Sequence, residues 1–259
     1  MTLLAIESAT DLVGAALLRD DGALAERTHV GGRAHAELLA PAIEEVCALS
    51  GCTLAEVDAL AVDVGPGLFT GLRVGVATAK ALGQSLGLAV LGVTSLDILA
   101  AGALEAAGPE RAARVVAVVD ARRREVFAAA YGFAGGDAGG GVVDPADVRR
   151  DRAEALGPGA LAGWMEELAA GGPVLVVGDG AVRYLEVLAP RPGADLGLAG
   201  VVAAPSPATL ARLAARRLAA GVAPTAAVDL VPDYRRHPDA RINWEERAPQ
   251  RTPPAADRS

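Results

Sequence analysis

Residues Ala59–Gly87 read ALAVDVGPGLFTGLRVGVATAKALGQSLG, and the organisation of the chain follows from them. Ala59 to Val64 is a short apolar run, rich enough in branched residues to form a buried strand. Gly65-Pro66-Gly67 breaks it. From about Phe69 to Leu86 the spacing predicts a helix, with Leu72, Val76, Ala79, Leu82 and Leu86 on one side at intervals of three and four. Gly71, Gly75, Ala79 and Gly83 form a second stripe, one small residue every four. Glycine inside a soluble helix costs about 1 kcal/mol against alanine. Three in register therefore call for something packed close to the helix backbone, either the chain's own sheet or a partner's helix.

The same grammar occurs twice. Leu3–Ile6 and Val13–Leu18 form a hairpin around the polar turn Glu7–Asp11, and Val115–Val119 and Glu125–Phe133 form another around Asp120–Arg124. The strand, Gly-x-Gly, helix unit returns at Val174–Val177, Gly178-Asp179-Gly180 and Ala181–Leu188. Each half closes with a strand and a serine-capped helix: Ala89–Val93 with Ser95, and Gly200–Ala204 with Ser206. A third strand at Ala23–Thr28, a helix from Arg33 to Leu49 kinked at Pro41, and a short helix opened by the capping box Thr53–Glu56 complete the first half. Strand, turn and helix in that order imply parallel crossovers, and the leading hairpin makes each sheet mixed. The expectation is two similar α/β subdomains, 1–107 and 108–236, with a cleft between them. The second carries a glycine-rich loop at Gly135–Gly141 and ends on an anchored segment, Pro232–Arg235. Residues 237–259 have no periodicity and read as a disordered tail.

Composition narrows the chemistry. The 259 residues are 52% apolar but only 3% aromatic, so the core is built from Ala, Val and Leu. The formal charge of −8 disfavours broad contact with phosphate backbones, so a second subunit would carry any nucleic acid. Lys80 is the only lysine. No basic leader opens the chain, and Ala81–Leu96, its longest uncharged stretch, is too short for a membrane span. Cys47 and Cys52 match no metal or redox spacing and read as reduced thiols.

Each candidate site admits a bland reading. Gly65/Gly67 and Gly178/Gly180 stand where glycine loops hold phosphate on backbone amides, yet neither pair continues into a P-loop or a dinucleotide fingerprint. A plain tight turn explains them equally. Glu7, Asp11 and Asp120 either hold Mg²⁺ through water across the cleft or are ordinary turn acids. A helical two-histidine metal site needs its second histidine four residues after His35, where the sequence has Leu39. No Gly-x-Ser-x-Gly elbow occurs. Arg122-Arg123-Arg124 is a basic run in a turn and reads as solvated, while Arg73 and Lys80, seven apart, share a helix face.

Taken together, LAIESATDLVGAAL, RAHAELLAPAIEEV, GPGLFTGLRVGVATAKALG (Gly65–Gly83), VTSLDILA, VVDARRREVFAAAY and PDYRR resemble the TsaB (YeaZ-type) family, over nearly the whole chain to Arg235. Position 68 is Leu where the family commonly has Ser. The resemblance implies a bacterial cytoplasmic protein with the actin-like ATPase fold, a duplicated RNase H-like unit. It implies a partner, not catalytic alone and needing no cofactor of its own, of the paralogous subunit TsaD and the ATPase TsaE. That complex makes N6-threonylcarbamoyladenosine on tRNAs reading codons that begin with A. Alone, the family member pairs as a homodimer, and tRNA is met mainly through the complex. In this reading His35, Leu39, Gly71, Arg73, Gly75, Ala79, Lys80 and Gly83 border the partner interface. The alternative is an independent ATP-using enzyme of the same fold, a small-molecule kinase or a glycoprotease-like hydrolase. Its kinase form would hold ATP or ADP with Mg²⁺ weakly at Glu7, Asp11, Gly65, Gly67, Asp120, Gly178 and Gly180.

Overall fold

The computed structural model describes residues 1–30, 34–111, 114–132, 144–145, 149–151 and 155–235. The expected glycine-rich loop at Gly135–Gly141 and the expected tail at 237–259 lie outside them.

The first sheet holds β1 (Leu3–Glu7), β2 (Leu12–Leu18), β3 (Leu24–Val30), β4 (Ala59–Gly65) and β5 (Val90–Thr94), in the order β3-β2-β1-β4-β5. The second holds β6 (Arg114–Arg122), β7 (Glu125–Gly132), β8 (Arg149–Asp151), β9 (Val174–Val177) and β10 (Ala194–Asp195), in the order β10-β9-β6-β7-β8. Numbered within its own half, each sheet has the same order. In each, the first three strands pair antiparallel and the last two add in parallel. This is the duplicated RNase H-like unit of the actin-like ATPase fold, with the mixed sheets that the hairpins required.

Helices cover both faces of both sheets, which is why β1 and β6 read as unbroken apolar runs and not as alternating ones. In β1, Leu4 and Ile6 face α1 (His35–Ser50) and α2 (Phe69–Leu86), meeting Leu39, Ile43, Val46 and Val76. Leu3 and Ala5 point the other way onto Leu210, Leu213 and Ala214 of α7 (Pro207–Ala219). In the second sheet Val115 and Ala117 meet Leu96, Leu99 and Ala103 of α3 (Ser95–Arg111), while Val116 and Val118 meet Leu161 and Met165 of α4 (Pro158–Ala169). The layers are thus helices, sheet, helices, sheet, helices, with α3 and α7 between the sheets.

Several expectations need correction. The packing does not divide at one point in the sequence: α7, from the second half, lies on the first sheet. So does a strap, residues 225–235, whose Thr225 pairs with Val90 and whose Asp233 N–H donates to the Val64 carbonyl at 2.7 Å. That strap bears out the anchored segment at Pro232–Arg235. Gly200–Ala204 is not a strand; its one link to the sheet is the Val202 carbonyl accepting from Gly178 N–H, and β10 supplies the fifth strand. Ala181–Leu188 splits into α5 (Asp179–Arg183) and α6 (Leu185–Leu188). By contrast, the short helix expected after the capping box is borne out as a 3-10 turn at Leu54–Glu56, with Thr53 N–H donating to Glu56 at 2.8 Å. Ser95 does not cap α3: its hydroxyl donates to Asp63, and Thr94 Oγ1 accepts the Asp97 N–H instead. Among the described residues no helix is long and apolar enough to cross a membrane.

Candidate functional site

A cleft of about 550 Å³ opens where the two hairpin turns approach each other. Asp11, His35 and the start of α2, Leu68 to Gly71, line it from the first lobe, and Arg122 from the second. Arg122 belongs to a hairpin turn in which Arg122, Arg123 and Arg124 all have positive φ, at 62°, 54° and 63°. Side chains resist that conformation, and glycine would take it without penalty. The turn swings Arg122 toward the first lobe, where it makes a two-pronged ion pair with Asp11 at 3.0 Å to each oxygen and a further pair with Asp120 at 3.1 Å. The basic run is therefore only partly solvated, and its first member joins the lobes.

The acids expected to hold Mg²⁺ do not converge on a cation site. Asp11 and Asp120 meet through the Arg122 guanidinium, which occupies the place a metal would need, and Arg183 adds a contact to Asp120 at 3.5 Å. Glu7 turns away from both. It is fully buried at the end of β1, beside Asp63 on β4, because the parallel register pairs Ile6 with Val62 and so sets the next two residues side by side. Burial first, then the charge of Asp63, holds the Glu7 carboxyl well above the usual carboxylate range. Burial likewise pushes Asp63 up to about 6, against hydrogen bonds from Glu7, Ser95 Oγ and Gly65 N–H that stabilise its charge. Asp179 is raised to about 6, again chiefly by burial. Among the described residues no group of three or more His, Cys, Asp or Glu is placed to hold a metal ion.

The glycine loops close on the chain itself. A side chain at Gly67 would strike the Ala9 carbonyl, one at Gly178 the Val118 carbonyl, and one at Gly180 the backbone of Val119 and Asp120. Gly65 N–H donates to Asp63 Oδ1 at 2.6 Å, Leu68 N–H to the Ala9 carbonyl at 2.6 Å, and Gly178 N–H to Val202. A nucleotide phosphate needs such amides free and the backbone open. In these loops the Gly65, Leu68 and Gly178 amides are already committed to the chain.

The stripe on α2 also resolves. Gly71, Gly75, Ala79 and Gly83 all face inward. Ser8 fills the space beside Gly71 and Gly75, and Ala227 of the strap that beside Gly83. Ser8 Oγ donates to the Gly71 carbonyl at 2.9 Å. His35 is 2% exposed, its Nε2–H donating to the Thr10 carbonyl at 2.7 Å, and Leu39 is 1% exposed in the core. These six, expected to border a partner, are interior. Arg73 and Lys80 do face outward, but the strap engages both: Arg73 Nε donates to Tyr234 Oη at 3.3 Å and lies over the Phe69 ring, and Lys80 Nζ donates to the Leu230 carbonyl at 3.1 Å. What α2 leaves exposed includes a different row, Thr70, Arg73, Ala77 and Ala81, with Phe69, Gln84 and Ser85 beside it.

Residues 25–164 match the TsaD family, described as tRNA N6-adenosine threonylcarbamoyltransferase. An uncharacterized protein of Mycobacterium tuberculosis is 45% identical over 132 residues, 50% of this chain; the match spans 59% of that relative's length. The tRNA threonylcarbamoyladenosine biosynthesis protein TsaB of Bacillus subtilis is 32% identical over 251 residues, 95% of this chain and 99% of its own. A crystal structure from Pseudomonas aeruginosa, described as an uncharacterized protein with similarity to peptidase YEAZ, superposes with a TM-score of 0.72 at 30% identity, covering 91% of this chain and 99% of that one.

Proposed function

The chain belongs to the TsaB (YeaZ-type) family, and from that membership we propose that it is the non-catalytic partner subunit of a TsaD-type transferase. In that role it supports formation of N6-threonylcarbamoyladenosine on tRNAs that read codons beginning with A. The observation that carries the non-catalytic part is the state of α1. His35 spends its Nε2–H on a backbone carbonyl, and Leu39, where a second ligating histidine would stand, is sealed in the core. The committed amides of both glycine loops support a chain that needs no nucleotide of its own.

Docking uses the outward row of α2, Thr70, Arg73, Ala77 and Ala81. Small side chains there let a second helix approach closely, and Arg73, already held against Phe69, gives an ordered polar contact at the edge. The same row serves a homodimer when the chain is alone. A TsaE-type ATPase completes the assembly, and with a charge of −8 the chain leaves most tRNA contact to its partners. The setting is the cytoplasm.

Size-exclusion chromatography with a TsaD-type subunit tests this. The two co-elute, and Ala77→Arg, which adds bulk only to the exposed row, abolishes co-elution while circular dichroism stays unchanged. Co-elution that survives Ala77→Arg moves the docking face elsewhere. No co-elution with the unmodified chain overturns the partner reading.

A further inference from the structure

Glu7 and Asp63 are 0% and 1% exposed and sit on neighbouring strands in register. Each has one oxygen in use. Glu7 Oε1 accepts the Ala9 N–H at 2.8 Å, and Asp63 Oδ1 accepts from Gly65 N–H at 2.6 Å and Ser95 Oγ at 2.7 Å. Each has one oxygen, Glu7 Oε2 and Asp63 Oδ2, that is buried and without a donor from outside the pair. Were both groups ionised, two negative charges and two unsatisfied acceptors would share an interior of low dielectric, a costly arrangement. One proton between the two carboxyls satisfies both oxygens and removes one charge.

Among the described residues the charged surroundings offer no other remedy, and on the strap Arg235 is paired with Asp233. From α3, Asp97 adds a further negative charge, and Arg217 of α7 is spent on Asp97 and Asp144. On α1, His35 is turned to Thr10. Arg73 and Lys80 of α2 face outward onto the strap. At the cleft mouth Arg122 is paired with Asp11 and Asp120. β2 and β5 contribute no ionisable side chain.

We infer that Glu7 and Asp63 share a single proton and act as a pH-sensitive fastener for the two loops at the base of the cleft. The link to the loops is direct. Glu7 holds Ala9, whose carbonyl accepts the Leu68 N–H and fills the space beside Gly67; Asp63 holds Gly65. Loss of the shared proton sets two carboxylates against each other where those loops are anchored, and loosens the start of α2. The inference does not depend on the partner reading.

Amide hydrogen exchange on the full chain at pH 6 and pH 9, corrected for intrinsic rates, tests it. Protection at Ala9, Gly65 and Leu68 falls by about tenfold or more, the effect of one pKa unit, while Val116 and Val176 in the second sheet are steady. In Glu7→Gln the amide takes the place of the proton, and the fall at the three loop amides disappears. Asp63→Asn gives the same result and serves if Glu7→Gln does not fold. A uniform response across both lobes, or an unchanged fall in both variants, overturns the inference. So does recovery of loop protection at pH 9 on adding magnesium chloride, which would make the bridging species a metal ion.

Discussion

The two lobes repeat one sheet and use it in opposite ways. At the end of its first strand each carries a buried acid, Glu7 in one and Asp120 in the other. Glu7 faces another acid, and among the described residues no base pairs with it, whereas Asp120 faces Arg122 and Arg183. The loops that follow differ in the same sense. After Gly67 the chain forms an eighteen-residue helix seated by its glycines against Ser8; after Gly178 it forms a five-residue helix. A topology therefore fixes where an acid stands but not what faces it, which the neighbouring strand and turn decide. The first lobe has the tightly seated helix and the buried acid pair, and the second supplies the arginine that ties the two together.

The largest expected effect lies in the first lobe. Gly71→Val drives a side chain into the Ser8 backbone and the His35 ring. It lowers stability by about 3 kcal/mol or more, the upper range for overpacking, in urea titrations at pH 7. A cost below about 1 kcal/mol would mean that α2 is not seated as described.

Next comes the acid pair. A folded-state pKa above the unfolded value near 4 means that the native state binds more protons, so stability is fully present below that pH and falls as pH rises. For Asp63 the loss falls between about 4 and about 6, and for Glu7 it begins near the same point and runs well above the usual carboxylate range. Asp63→Asn removes a share of that fall on the order of 2 kcal/mol, while the share due to Asp179 in the second lobe stays. Denaturation midpoints at pH 4, 6 and 8 check this; parallel curves for the two proteins would contradict it.

Smaller still is the tie between lobes. Arg122 and Asp11 are about half exposed, at 42% and 51%, so Arg122→Gln costs under about 1 kcal/mol, and less in high salt. The smallest effect is a gain. Gly163 lies on the exposed side of α4 with open space around it, so Gly163→Ala raises stability by about 0.5–1 kcal/mol. Set beside Gly71→Val, it shows that glycine in α2 is required and in α4 only tolerated.

Periodicity and turn chemistry made much of the fold legible: the paired hairpins, the strand, Gly-x-Gly, helix units and α2 from Phe69 to Leu86. Gly200–Ala204 misled because its apolar composition suits a strand, yet only Val202 reaches the sheet. The site was harder to read. Helical spacing shows that Gly71, Gly75, Ala79 and Gly83 share a face but not what that face meets. Lys80 and Arg73 meet a strap some 150 residues further along, at Leu230 and Tyr234. Asp63 does not stand out inside ALAVDVG because its partner, Glu7, is brought beside it only by the register of β4 on β1. The signal was a carboxylate in an otherwise apolar buried strand.

The measurement that bears most directly on the account is a reconstitution. TsaD-type and TsaE-type subunits, tRNA, ATP and a threonylcarbamoyl-adenylate supply are combined with and without this chain, and the modified nucleoside is quantified by mass spectrometry. The account predicts N6-threonylcarbamoyladenosine only when the chain is present, and its loss with Ala77→Arg. Equal formation without the chain would contradict it.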